Sequence, residues 1–339
     1  MKKNICFLLV STLCLSLVLG FSFVGCKTTT SVASETTVAE TTAAAGTVAA
    51  WEGKTIGLSV PDVAWPWVTS YVDWYKKYAQ ENNMNVIVYG AGGDEAKQVK
   101  DMEDLITKKV DIISVFPAGP TSIVQPIKKA YDSGIPVLLA VNIADPEAYD
   151  YIIGYSGQDS VYFAKKAARV LAAKLNNEGN IVILSGYPGQ PDEVAKSTYF
   201  PEELAKVAPN IKILDKQRYD WDPAKAKTVM EDFIVKYPDI KGIYIMDDGG
   251  GAAICDVLAS HGFKAGDIFI ISTAGSAAGI AKVKEGWLET FDLNTEINAG
   301  LDFNVITNYF AGKPYPFQSI MPQPLLTKET CPPDYKGSW

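Results

Sequence analysis

Eight short runs rich in β-branched residues, each followed by a stretch with helical periodicity, constrain this chain most. Four lie near Thr55–Val60, Asn85–Tyr89, Ile112–Phe116 and Val137–Val141. Four more lie near Ile181–Leu184, Ile211–Leu214, Ile243–Met246 and Ile268–Ser272. They are largely apolar, which marks strands covered on both faces, as in a parallel sheet. The stretches between carry single apolar stripes. Val161, Ala164, Ala168, Leu171 and Leu175 form one, and Val99, Met102, Leu105 and Ile106 form another between Glu95 and Lys108. Pro66, Pro201 and Pro223 stand where first-turn prolines belong. The alternation predicts an α/β fold with right-handed crossovers. It comes in two blocks of like size, about 54–157 and 158–294. The expected architecture is two doubly wound parallel-sheet lobes, whose ligand sites lie at strand C-termini. A cleft between lobes is then the expected site.

Ahead of these blocks the chain changes character. Lys2 and Lys3 precede an uncharged run from Ile5 to Val24, and Phe23-Val24-Gly25 leads into Cys26. A basic start, an apolar stretch and a small-residue site predict an export signal over 1–25. A cysteine directly after that site resembles the lipobox of bacterial lipoproteins, which implies cleavage after Gly25 and a lipidated Cys26. An uncleaved membrane anchor is the alternative, because about 20 apolar residues span a bilayer. Residues 26–51 are mostly Thr, Ala, Ser and Val, with no aromatic before Trp51. Such a segment buries too little apolar area to offset its ordering entropy and reads as a disordered tether.

Removing the signal leaves a net charge of (31 − 2) − 39 = −10. An acidic body argues against nucleic acid, whose phosphates need a basic face. Beyond Cys6, Cys14 and Cys26, the remaining cysteines are Cys255 and Cys331. Outside the cytoplasm they can form a disulfide or stay reduced.

Few residues carry chemistry. Pro61-Asp62-Val63-Ala64-Trp65-Pro66-Trp67 follows the first strand. Trp65 and Trp67 are either ligand contacts, since flat aromatic faces cover sugar C–H faces or hold cations, or core packing. Met246-Asp247-Asp248 follows a strong strand. Asp247 is the expected ligand acceptor and Asp248 the expected helix cap. Gly90-Ala91-Gly92-Gly93 fails as a dinucleotide loop, because Glu95 stands where the third glycine belongs. The sole histidine, His261, sits beside Gly262 and reads as a helix C-cap. No metal spacing, cofactor loop or catalytic dyad emerges, so no enzyme, metal or cofactor is expected.

In order and spacing, Ser133-Gly-Ile-Pro-Val, Ile181-Val-Ile-Leu-Ser-Gly and Gly242-Ile-Tyr-Ile-Met-Asp-Asp with Ala252, Ala253, Leu258 and Gly262 resemble one family. It is the type I periplasmic binding proteins of ABC transporters, the group with the ribose- and galactose-binding proteins, and the likeness spans about 54–325. It implies lobes formed by 52–157 with 295–321 and by 158–294 with 322–339. A three-strand hinge would lie near Gly157, Asn294 and Met321. It also implies a ligand site. The first loop matches Trp65-Pro66-Trp67 with Asp62 before it, and the third strand tip matches Phe116. The Asp-Arg pair of the fourth tip is Val141-Asn142 here, leaving Asn142 polar. The second-lobe arginine matches Lys196, the next aromatic Trp221, and the asparagine of Asn-Asp matches Asp247. A strand-end aspartate is replaced by Ala274 with Thr273 beside it, and the crossover glutamine by Asn294. The resemblance implies capture of a monosaccharide or polyol for an ABC permease. The alternatives are a sensor feeding a membrane kinase, a non-sugar solute such as a nucleoside or cationic metabolite, and a surface hydrolase. LacI-type repressors share the fold, but here a signal and tether occupy the place of their DNA-binding helices.

Overall fold

The structure is a computed structural model, and it describes residues 48–339. The export signal, Cys26 and residues 26–47 of the expected tether lie outside the described residues. Trp51 does not belong to a tether. Residues 50–53 form a turn, and the Trp51 ring packs against the core that follows.

The chain first builds β1 (Thr55–Val60), α1 (Pro66–Glu81), β2 (Asn85–Gly90), α2 (Glu95–Thr107), β3 (Ile112–Val115), α3 (Val124–Asp132), β4 (Val137–Val141) and β5 (Gly154–Gly157). It then crosses over to make α4 (Ser160–Lys174), β6 (Glu178–Ser185), α5 (Pro191–Val207), β7 (Asn210–Arg218), α6 (Pro223–Lys236), β8 (Ile240–Ile245), α7 (Asp248–Ser260), β9 (Phe269–Ala274), α8 (Ala277–Glu285) and β10 (Glu289–Asp292). Helix α9 (Thr295–Phe310) and strand β11 (Gln318–Ile320) return to the first sheet, and β12 (Leu325–Leu326) joins the second. Three chain passages therefore connect the lobes, at 158–159, 293–294 and 321–324.

Each sheet has six strands, in the orders β11-β5-β4-β3-β1-β2 and β12-β10-β9-β8-β6-β7. The five strands β1–β5 and the five strands β6–β10 follow the same order, and only the added edge strands β11 and β12 differ in direction. Every pairing is parallel except β10 with β12. Both faces of each sheet are covered. Helices α1 and α9 bury Tyr71, Tyr75 and Phe303 on one face of the first sheet, and α2 and α3 bury Met102 and Ile127 on the other. Helices α4 and α5 cover one face of the second sheet, and α6 and α7 cover the other. The apolar runs in the sequence reflect this double burial.

One local expectation is corrected, and one open alternative takes a side. Pro201 lies inside α5, and the first-turn proline of that helix is Pro191. The apolar residues Phe200 and Leu204 hold the helix together across Pro201, at the cost of one backbone hydrogen bond. Cys255 and Cys331 are both free thiols. Each is buried in the same core cluster, so packing rather than a covalent bond holds them. Burial pushes the Cys255 thiol up to about 12.

Candidate ligand-binding site

The strand C-termini of the two sheets face one another, and between them lies a cavity of about 100 Å³. At roughly 10–15 Å³ per water-sized group, that is the scale of a single small solute rather than an oligosaccharide.

The first lobe supplies Trp65 and Trp67 from the start of α1, Phe116 after β3, and Asn142 after β4. Pro66 at the first helical position fixes the entry into α1 and so aims both indoles. The Trp67 ring stacks on Tyr71 at 5.6 Å and meets Phe116 edge-on at 6.0 Å. Its indole N–H donates to the Leu293 carbonyl at 3.0 Å, so it is pinned to one of the passages between lobes. Trp65 faces Tyr187 of the second lobe with ring centroids 6.0 Å apart.

The second lobe supplies Lys196, Trp221, Asp247 and Thr273. Lys196 is 2% exposed, and its ammonium has three partners. They are Asp192 at 2.7 Å, the Met246 carbonyl at 2.8 Å and the Thr273 hydroxyl at 2.9 Å. Its three donors are therefore committed within the protein. Asp192 in turn accepts from Gln158 at 2.9 Å and Ser160 at 2.7 Å, both next to a lobe-to-lobe passage. The cation is neutralised in place, so the cavity offers no spare positive charge to an anion.

Trp221 is positioned by an unusual backbone. Asp220 and Trp221 have φ of 57° and 60°, in the left-handed region. The ring lies directly on Gly186, where a Cβ would come within 2.0 Å of it, so only glycine fits there. Its N–H donates to Gln190 at 2.7 Å.

The two aspartates divide their work differently from the expectation. Asp247 is the N-cap of α7, accepting from the Gly250 amide at 2.8 Å and from the Tyr219 hydroxyl, while it also lines the cavity. Burial holds its pKa above the ordinary value. Asp248 caps nothing. It is fully buried and accepts from the amides of Gly275 and Ser276 and the hydroxyl of Thr290, tying the β9–α8 loop to β10. Burial pushes it up to about 7.

Eight of the ten expected residues thus line one cavity: Trp65, Trp67, Phe116, Asn142, Lys196, Trp221, Asp247 and Thr273. Asp62 and Asn294 are not among its lining residues. Asp62 accepts from the Ala64 amide and shapes its own loop, and Asn294 caps α9 through the Ile297 amide. Among the polar and aromatic lining residues, four were not expected from the sequence: Gln158, Gln190, Asp192 and Trp339. One amide atom of each lining amide is bound internally: Asn142 Nδ2 to Pro117, Gln158 Nε2 to Asp192, and Gln190 Oε1 to Trp221. The opposite atoms, Asn142 Oδ1, Gln158 Oε1 and Gln190 Nε2, make no hydrogen bond among the described residues, and all three residues line the cavity. This mixture of acceptors and a donor suits hydroxyl groups, which both give and take hydrogen bonds.

Strain marks the same site. Val141, at the end of β4, has φ of 63°, and Ala274, at the end of the equivalent strand β9, has φ of 122°. These conformations are unfavourable for residues with a Cβ, and for a β-branched one most of all. Both residues line the cavity.

A family model described as periplasmic binding protein domain matches residues 56–313. A ribose import binding protein of Bacillus subtilis is 28% identical over 231 residues, covering 68% of this chain and 73% of that protein. A xylitol-binding protein of Mycolicibacterium smegmatis is 29% identical over 288 residues, covering 84% and 80%. Among solved structures, the arabinose transporter binding component from Shewanella superposes with a TM-score of 0.76 at 22% identity, covering 83% of this chain and 94% of that one. With its paired sheets, its interlobe cavity and a family match across most of its length, this chain belongs to the periplasmic binding protein domain family, whose members bind solutes and are not enzymes.

Proposed function

We propose that the chain captures one monosaccharide or polyol in its interlobe cavity and presents it to an ABC permease. The observation that carries this reading is the pairing of aromatic plates with uncommitted amides around a cavity of about 100 Å³. Rings cover the apolar face of a sugar while amides and Asp247 meet its hydroxyls. Relatives named for ribose, xylitol and allose support the same solute class. Several hydrogen bonds and two stacking faces are compatible with a Kd near micromolar, about −8 kcal/mol.

The lobes close about the three passages, and the closed form is what a permease would recognise. Exported and lipidated at Cys26, the protein would stay at the outer face of the membrane, with acyl chains as its anchor. Carbohydrate uptake lost on deletion of the gene supports import. Retained uptake with lost sugar-dependent transcription would support the sensing alternative, a use made of this fold by the fructose-binding periplasmic domain of a hybrid two-component system. A thermal-shift screen of D-ribose, xylitol, D-allose, L-arabinose and myo-inositol tests the solute class, because a ligand of the native state raises its Tm. No shift with any of them would count against it.

A further inference from the structure

Trp339 is far in sequence from every other cavity residue, yet it lines the cavity together with Trp67 and Trp221. It also lines an outer groove along α1, beside Trp74 and Lys77, so its ring stands in the partition between cavity and surface. The segment leading to it is fixed to the second lobe. The Tyr335 hydroxyl donates to Asp292 at 2.8 Å, and the Lys284 ammonium donates to the Pro333 carbonyl at 2.9 Å. The Ser338 amide donates to the Gly275 carbonyl at 2.9 Å, and the Trp339 carbonyl accepts from the Ala277 amide at 2.6 Å.

The end of the segment grips the other lobe as well. The Ser338 carbonyl accepts from the Ser70 hydroxyl of α1 at 3.0 Å and from Thr295 at the start of α9 at 3.2 Å. The two hydroxyls lie 2.9 Å apart, so with one hydrogen each they satisfy two of these three contacts at a time. A rigid opening of the lobes would break the Ser70 contact and leave the second-lobe contacts whole.

We propose that residues 337–339 are a strap across the mouth of the cleft, in which Ser338 latches the closed lobes and Trp339 forms an aromatic wall against the solute. The inference rests on the solute-binding reading above. The strap rides with the second lobe and engages the first only on closure. Trp339 then excludes solutes too long for the cavity and slows release of those that fit.

The test uses the full chain, a deletion of residues 337–339, Trp339→Ala and Ser70→Ala, with the same five sugars and polyols as probes. For any probe that the wild type binds, release should be at least tenfold faster in the deletion and in Trp339→Ala. Ligand-free scattering of the deletion and of Ser70→Ala should shift toward a more open form. Unchanged release and unchanged scattering would overturn the strap while leaving solute binding intact. If the wild type binds no probe, the solute-binding reading fails, and ligand-free scattering alone judges the latch: opening on deletion supports it, and an identical profile overturns it. Trp339→Ala leaves the backbone contacts in place, so it remains informative if the deletion misfolds.

Discussion

The Lys196 ammonium lies 2.7 Å from the Asp192 carboxylate one helical turn earlier, with side chains only 2% and 11% exposed. Lys196 thereby joins α5 to the ends of β8 and β9 through Met246 and Thr273. Its work is to hold the second-lobe wall together. Lys196→Met should destabilise the fold by about 3 kcal/mol, because it leaves Asp192 buried without its partner. The double change Lys196→Met with Asp192→Asn should recover most of that loss. Urea unfolding midpoints of the wild type and the two variants check this ordering.

Gly186 and Trp221 form a unit, since the indole occupies the space a Cβ would need. Trp221→Ala should weaken binding of the best probe at least tenfold through loss of the stacking face. Gly186→Ala should weaken it as well, by pushing the ring away. Calorimetric titration of both variants decides this. Loss in Trp221→Ala alone would show that the ring can move without penalty.

Ala274 holds φ of 122° at the end of β9. Ala274→Gly should raise stability by about 1 kcal/mol, since relief of a conformation favoured only by glycine outweighs the added freedom of the unfolded chain. A higher denaturation midpoint at unchanged slope is the expected result.

Asp302 is fully buried on α9 and accepts from the hydroxyls of Tyr71 and Ser156. Burial pushes its pKa up to about 7. In the unfolded chain it titrates near 3.9, so between about pH 4 and pH 7 the folded form binds more protons. Stability from this residue is therefore full below about pH 4, is lost as pH rises through about 7, and stays flat above. Asp248, also pushed up to about 7, contributes to the same window. Asp302→Asn should flatten, without abolishing, the fall in Tm between pH 4 and 7.

Six of the eight strands were legible because double coverage leaves nearly unbroken apolar runs, whereas β2 and β7 lie at sheet edges and are half-buried or exposed. Strand β5 was not, since Gly-Tyr-Ser-Gly has no such run, and Gln158 just beyond it went unnoticed for that reason. The resemblance reached Lys196 and Trp221 through their spacing from strand ends. It also suggested Asn294, whose side chain is spent on capping α9. Nothing local distinguishes Asp247 from Asp248, because which carboxylate caps and which is swallowed depends on the β9–α8 loop. Trp339 had no signal at all: its place in the cavity is set by tertiary contacts of the tail, which leave no periodicity in the sequence.

The proposed function requires a single small polyhydroxy solute between the two lobes, against their aromatic faces. Calorimetry of the wild type and of Trp67→Ala, at equal concentrations and with each of the five probes, tests it most directly. The account predicts one-to-one binding of at least one probe near or below micromolar Kd, weakened at least tenfold by the substitution. Heats indistinguishable from dilution for every probe, or a Kd that ignores the loss of Trp67, would contradict it.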